Sequence, residues 1–387
     1  MKFRLKLFFF TQYFSVGLIG PYLVLFLIEK NFSGAQIGLL MGMMPIAGMF
    51  FQPVWSYLSD VMNKRRILIV FASLGLIVAS LGMGFADSFI AVFGWVVLFS
   101  AMCAPISPIA TASALDYLES IGAVDDFGTL RMWGSVGFAV SSVLMGALFL
   151  DQILLYFPWF AGGIFLTLAL VGLLLPEARQ LYNYTGFKDL RFVIRGQQFI
   201  TFLIASIFLG ATMGIYNNYM TLFLQEIDTA SWLIGVIISL QAIVEVPMMM
   251  LAPYLLKRVA IKWLLLAGAV AFLLRWLLYI FIRQPAWIVP TQILNGVGVF
   301  SFFVVGVAYV DRLVDPKWRA TGQALYGIAM MSIGSGLGIY SAGLIIERYA
   351  VSSVWVFNSV LGLVALGLYL VSFSLKKIPE KRESSSM

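Results

Sequence analysis

Histidine is absent from this sequence of 387 residues, and cysteine occurs once, as Cys103. The lack of histidine excludes imidazole metal sites, Ser-His and Cys-His catalysis and a histidine proton relay. A single cysteine cannot form an intrachain disulfide, and its position in an apolar run predicts a packing role. No Gly-x-x-x-x-Gly-Lys-Ser/Thr segment occurs. We therefore expect no ATP site, no cofactor and no metal.

Charged residues are also scarce, at 11% of the sequence against 61% hydrophobic residues, and the mean hydropathy is +0.96. A soluble domain carries about 25% charged residues, so this composition predicts a membrane protein in contact with a lipid bilayer. The net charge of +7 does not indicate nucleic acid binding, because the positive residues lie in short loops between apolar runs.

Twelve apolar runs are long enough to cross a bilayer as helices. They cover approximately 7–28, 35–58, 67–86, 88–114, 129–150, 155–175, 199–225, 231–256, 263–282, 286–310, 321–346 and 350–375. The pattern predicts an all-α membrane protein with twelve transmembrane helices in two pseudo-symmetric bundles of six. Expected boundaries are an N-terminal bundle at 1–175, a linker at 176–198, a C-terminal bundle at 199–375 and a tail at 376–387.

Lysine and arginine are distributed unequally between the two sets of loops. Twenty of the 25 lie at the termini and in the loops on their side, and three lie in the alternate loops, as Lys30, Arg283 and Arg348. Positive residues are enriched in cytoplasmic loops, so both termini, the linker and the tail are expected in the cytoplasm. Small residues at four-residue spacing, Gly38/Gly42 and Gly334/Gly338, predict close contacts between helices.

Glu245 lies near the centre of the eighth run, about 14 residues from one end and 11 from the other. An ionised acid at that depth costs at least ~2.5 kcal/mol, so it is normally neutral, paired or exposed to a wet cavity. Arg275 lies at a similar depth on the next run and is a candidate partner. The pair is either a transport site or a structural ion pair between two helices.

The loop after the second run reads Ser56-Tyr-Leu-Ser-Asp60-Val-Met-Asn63-Lys-Arg65-Arg66. It resembles the major facilitator superfamily signature, Gly-x-x-x-Asp-basic-x-Gly-basic-basic, although both glycines and the first basic residue are replaced. The resemblance implies a gating role for Asp60 and Arg65. Alternatively, the basic loop only sets the topology.

A second resemblance lies at the start of the fifth run, in Phe127-Gly-Thr-Leu-Arg131-Met-Trp-Gly-Ser135-Val-Gly-Phe138. Similar segments occur in nucleoside–proton symporters and phenylpropionate permeases, and a looser version occurs in lactose permeases. Tyr13-Phe-Ser-Val-Gly17-Leu-Ile-Gly-Pro21, Val244-Glu245 and Leu274-Arg275-Trp276 resemble the same group, so the resemblance runs through all twelve runs.

This resemblance implies roles for individual residues. Arg131 corresponds to an arginine that binds polar substrate groups, and Asp116 to its acidic companion. Glu245 and Asn217 match a glutamate and an asparagine of the nucleoside symporters. Three residues of those families are replaced here. The aspartate in the tenth span of the nucleoside carriers falls at Ser301, and the histidine and glutamate in the tenth span of the lactose permeases fall near Asn295 and Gly298. The candidate substrate-binding residues are Arg131, Asp116, Ser135, Phe138, Asn217, Gln241 and Asn295.

The residues themselves agree with proton coupling, because a chain without histidine must carry its proton on a carboxylate. Burial of an acid favours its neutral form and a neighbouring arginine favours its ionised form. Glu245 with Arg275 and Asp116 with Arg131 are thus the candidate coupling pairs. Polar residues elsewhere in the runs either line the cavity or form hydrogen bonds between helices, namely Gln12, Tyr13, Asn217, Asn218, Gln241, Gln292 and Asn295.

Three functions remain open at this stage. The first is proton-coupled uptake of a small polar solute by alternating access, with a sugar or nucleoside favoured over an aromatic or other carboxylic acid. The second is a drug or metabolite exporter of the same fold. The third is an embedded enzyme or a channel, which the sequence disfavours because no catalytic cluster appears. We expect a monomer in the cell membrane whose partners are its substrate and protons.

Overall fold

The computed structural model describes residues 1–62, 64–123, 126–148, 156–176, 196–315 and 318–375. These residues form helices joined by short turns and contain no strand. Ten helices are long and apolar enough to cross a membrane, and Phe157–Gly172 is a shorter apolar helix. The predicted linker and tail fall almost entirely outside the described residues.

A helix occupies each of the twelve positions predicted from the sequence, which confirms the all-α membrane architecture. The spans, numbered in chain order, are Lys2–Glu29, Gly34–Met62, Arg65–Phe85, Phe89–Cys103 with Ile106–Ser120, Phe127–Leu148, Phe157–Gly172, Gln197–Glu226, Ser231–Arg258, Ile261–Phe281, Ile288–Phe300 with Gly306–Leu313, Arg319–Gly327 with Ser335–Ile346, and Ser353–Ser374.

Three spans are not continuous α-helices. The fourth is interrupted at Ala104 and Pro105, because proline has no backbone N–H to donate. The tenth and eleventh each contain a π-helical segment, at Ser301–Val305 and Ile328–Gly334. Such segments leave backbone groups without regular partners, and inside a membrane they occur where protein or water surrounds them.

The first six spans form one helix group and the last six form another. Within the groups, the first span packs on the fifth, the third on the sixth, and the seventh on the eleventh and twelfth. Between the groups, the fifth span contacts the eighth and the second contacts the eleventh. A two-fold relation between the groups pairs the fifth span with the eleventh and the eighth with the second. It therefore converts the first of these contacts into the second, as observed.

The face of the protein at which the chain begins is called here the Met1 face, and the other is called the far face. At the far face the two groups touch closely. A Cβ added to Gly38 would lie 2.9 Å from the Cα of Gly343, so only glycine fits this crossing of the second and eleventh spans. The backbone N–H of Ala35 also donates to Oε2 of Glu347 across 2.9 Å. The predicted close helix contacts are therefore confirmed at Gly38.

Towards the Met1 face the second and eleventh spans separate around a cavity of about 400 Å³. Its walls include Gln52 and Ser56 of the second span and Gly327 and Ser332 of the eleventh. The structure is thus closed at the far face and has its space between the groups on the side of Met1.

Candidate functional site

Glu245 lies in the middle of the eighth span and is partly buried. Its Oε1 accepts a hydrogen bond of 3.3 Å from Nδ2 of Asn295 in the tenth span. Gln241 precedes it by one helical turn and therefore lies on the same side of the helix. The guanidinium group of Arg131, from the other helix group, is within electrostatic reach of the Glu245 carboxyl group.

Arg275 is completely buried in a cage of polar and aromatic side chains. Its Nη1 donates to Oδ1 of Asn295 at 2.7 Å, its Nη2 to Oε1 of Gln292 at 2.8 Å and its Nε to the hydroxyl of Tyr279 at 3.0 Å. The guanidinium carbon also stacks 4.0 Å from the ring centre of Tyr216. Contact with aromatic faces stabilises a cation that is removed from water.

The predicted direct pair between Glu245 and Arg275 is therefore wrong in its geometry. The two residues do lie in one network, but the amide of Asn295 stands between them. The physical reason is that the planar guanidinium group is already satisfied by two amide oxygens and a hydroxyl. Gln292 and Asn295 in this network make hydrogen bonds between helices, which was one of the two alternatives for these residues.

Arg131 lies near the start of the fifth span and stacks on Tyr13 of the first span. The distance from its guanidinium carbon to the ring centre is 3.9 Å. A Cβ at Gly134 would lie 2.6 Å from the Tyr13 ring and 3.0 Å from Nη1 of Arg131, so glycine is required for this stacking. The pair places a cation on the first helix group, on the span that contacts the eighth span of the second group.

Asp116 is not the companion of Arg131, contrary to the expectation from the resemblance. Its Oδ2 accepts a hydrogen bond from Nη1 of Arg65 at 2.7 Å, and only 3% of the Arg65 side chain is exposed. This ion pair fastens the start of the third span to the end of the fourth, near the Met1 face. The gating role of Asp60 and Arg65 stays a prediction, because the side chain of Asp60 lies outside the described residues.

The other predicted binding residues lie on the fifth and seventh spans. Ser135 and Phe138 are partly buried on the fifth span, within two turns of Arg131. Asn217 is exposed although the middle of the seventh span is otherwise mostly enclosed by its neighbours. The seventh span contacts the first span across the two groups, and a substrate-binding role for Asn217 stays a prediction.

Sequence reasoning missed the aromatic cage around Arg275. Tyr279 follows Arg275 by four residues, which places both side chains on one face of the helix, and this spacing was a usable signal. Tyr216 lies on a different span, and nothing in the local sequence points to its contact with Arg275.

The fold and this site are those of a transporter that spans the membrane many times, and comparison with known proteins identifies the family. The family model described as "MFS_1 like family" matches residues 2–358. The chain therefore belongs to this family of major facilitator transporters and is not an enzyme.

Several known proteins are similar over nearly the whole chain. The uncharacterized transporter YwbF of Bacillus subtilis (strain 168) is 27% identical, over 96% of this chain and 94% of that protein. The maltose permease of Geobacillus stearothermophilus is 29% identical, over 94% and 93% respectively. The crystal structure of the nucleoside transporter NupG superposes with a TM-score of 0.88 at 21% identity, covering 97% of this chain and 99% of that one. At this identity the superposition shows the shared fold.

Proposed function

We propose that the protein is a proton-coupled symporter that takes up a neutral polar solute, such as a sugar or nucleoside, by alternating access. The proposal rests on one observation above all. Glu245 and Arg131 lie on the eighth and fifth spans, which contact each other between the two helix groups, and their charges are within electrostatic reach. A solute between them would contact both groups, and the proton on Glu245 would change the attraction between them.

The burial of Arg275 favours a neutral solute over a carboxylic acid. Two arginines at mid-depth would suit an anion, but Arg275 has an exposed fraction of 0% and its Nε, Nη1 and Nη2 are all engaged. Arg131 is thus the arginine left to meet a solute, together with the carboxyl group of Glu245. Hydroxyl groups can hydrogen-bond to Arg131 and to Glu245 in either of its protonation states, whereas a substrate carboxylate would be repelled whenever Glu245 is ionised.

Two of the relatives support this substrate class by their names. One is a maltose permease and another is the nucleoside permease NupG of Escherichia coli (strain K12), which is 23% identical over 98% of this chain. Maltose and nucleosides are both neutral and rich in hydroxyl groups. The binding residues we assign are Arg131, Ser135, Phe138, Asn217 and Gln241, with Asn295 positioning Glu245.

The proton is assigned to Glu245 because it is a partly buried carboxyl group in the middle of the eighth span and no histidine exists in the chain. When Glu245 is ionised, its attraction to Arg131 draws the two groups together. When it is protonated, that attraction is lost and the solute can bridge the gap by hydrogen bonds. Binding of proton and solute would then favour the same rearrangement, which is the requirement for symport.

The topology proposed from the lysine and arginine distribution places both termini in the cytoplasm of a cell membrane protein. The far face is then the outer surface, and the cavity beside Gln52 and Ser332 opens towards the cytoplasm. This is the conformation from which an uptake system releases its substrate.

The experiment begins with a thermal-shift screen of the purified protein against sugars, nucleosides and aromatic acids, because a bound ligand raises the unfolding temperature. The best ligand is then used in proteoliposomes. We expect that a pH gradient drives accumulation by the wild type, and that Glu245→Gln loses at least about tenfold of it while ligand exchange persists. The matched control is Glu119→Gln, which removes an exposed acid outside the site. Undiminished accumulation by Glu245→Gln would refute the coupling role, and stabilisation only by aromatic acids would refute the substrate class.

A further inference from the structure

A groove of about 580 Å³ opens between the ninth and tenth spans near the far face, apart from the cavity between the helix groups. Its size falls within the range of small-molecule pockets, about 300–1,000 Å³. Leu278, Pro290 and Leu294 form its apolar walls together with Phe281. Phe281 is 78% exposed, so the groove faces the surrounding lipid.

Arg283 lies at the mouth of this groove, directly after the ninth span. Its side chain is exposed, and Nη1 donates one hydrogen bond of 3.3 Å to the adjacent carbonyl of Ile282. Within the described part of the chain, no carboxylate forms an ion pair with it. Trp287 stands at the same mouth with 64% exposure, as tryptophans do at the boundary between lipid and water.

We propose that the groove binds an anionic phospholipid, with its phosphate on Arg283 and one acyl chain along Leu278, Phe281 and Leu294. An arginine without a protein counter-ion matches the charge and geometry of a phosphate diester. Leu294 lies seven residues after Trp287, which directly precedes the tenth span, or about 10 Å along the helix at the helical rise. The groove therefore reaches from the membrane surface well into the outer part of the hydrocarbon layer, which is about 30 Å thick.

The groove also adjoins the network that holds Arg275. Thr291 belongs to the groove wall, and its hydroxyl lies 3.2 Å from the hydroxyl of Tyr279. Tyr279 in turn accepts the hydrogen bond from Nε of Arg275. A lipid in the groove thus packs against the wall that fixes Arg275, and lipid composition is expected to change the transport rate. Binding itself does not depend on the proposed transport function.

Binding is tested by native mass spectrometry of the detergent-purified protein titrated with phosphatidylglycerol, and separately with phosphatidylcholine of the same acyl chains. We expect the wild type to retain phosphatidylglycerol more tightly than phosphatidylcholine. Arg283→Gln should bind phosphatidylglycerol about fivefold more weakly, the effect of one arginine near an anionic lipid. The matched control is Arg348→Gln, which removes a positive charge at the same face outside the groove and should behave as the wild type.

Two further variants keep the result interpretable. Arg283→Lys retains the charge and should restore most of the preference if Arg283→Gln proves poorly folded. Leu294→Trp fills the groove and should weaken retention of phosphatidylglycerol although Arg283 is intact. Equal losses in Arg283→Gln and Arg348→Gln would overturn the proposal. So would equal retention of the two lipids by the wild type, or displacement of phosphatidylglycerol by millimolar inorganic phosphate, which would indicate a simple anion site.

Discussion

The side-chain amide of Asn295 donates a hydrogen bond of 3.3 Å to the carboxyl group of Glu245. The orientation of this amide is set by Arg275, because its Oδ1 accepts a hydrogen bond of 2.7 Å from Nη1 of Arg275. Since the amide oxygen accepts and the amide nitrogen donates, Arg275 determines which of them faces Glu245. The buried cation thus acts on the acid through a neutral side chain that cannot itself titrate.

The first prediction concerns Asn295→Asp, which preserves the size of the side chain and the acceptor for Arg275. It removes the donor to Glu245 and places a second carboxylate beside it. We expect pH-driven accumulation in proteoliposomes to fall at least about tenfold, because the new residue competes with Glu245 for the proton. Thermal stability should remain close to that of the wild type.

Asn295→Leu serves as the contrasting variant. It leaves the buried Nη1 of Arg275 without its acceptor, which costs about 1–3 kcal/mol. We expect a clear loss of thermal stability in this variant and a smaller one in Asn295→Asp. If both variants unfold at the same temperature, the hydrogen bond between Arg275 and Asn295 contributes no more than packing does.

The second prediction concerns Arg275→Lys, which retains the charge but has no planar fork. A lysine cannot reach Asn295, Gln292 and Tyr279 in the geometry that the guanidinium group uses. We expect a loss of about 2–5 kcal/mol in unfolding free energy, as for other disrupted buried charges. Thermal unfolding in detergent measures it, with Arg258→Lys as the control because Arg258 is exposed at the Met1 face. Equal unfolding temperatures of the two variants would contradict the importance of the cage.

The sequence placed Glu245 and Arg275 at a similar level of consecutive spans, because level follows from counting residues along a helix of known rise, and their shared contact with Asn295 agrees with this. It did not predict their rotation. The spans are apolar on nearly all sides, so no amphipathic face indicates which residue points at which neighbour. Asp116 illustrates the same limit, since its partner Arg65 lies 51 residues away on another span. The π-helical segments of the tenth and eleventh spans likewise have no simple signal, because they depend on packing between spans.

The third prediction follows from the ion pair of Arg65 and Asp116. Both residues belong to the first helix group, so their bond stabilises that group rather than closing the cavity between the groups. Arg65→Gln leaves Asp116 without its partner, and we expect a loss of about 1–3 kcal/mol. The double variant with Asp116→Asn should lose less than the sum of the two single variants. Ligand affinity should be unchanged in all three, and a large change would indicate a gating role instead.

The fourth prediction uses the glycine contact at the far face. Gly38→Val inserts a branched side chain where even a Cβ would lie 2.9 Å from the backbone of Gly343 and of Tyr340. The second and eleventh spans must then separate at the far face, and rocking of the two groups would close the cavity near Met1. Gln52 is exposed in that cavity, so Gln52→Cys reports its closure.

The measurement is the labelling rate of Gln52→Cys by an impermeant maleimide applied from the Met1 face, with Cys103 replaced by serine. Gly38→Val should slow this labelling several-fold. The control is Gly48→Val on the same span, where no atom lies within 4 Å of the added Cβ. Both variants place a valine in the same helix, so a difference between them isolates the contact with the eleventh span. Equal labelling rates would mean that the far-face contact between Gly38 and Gly343 does not hold the cavity open.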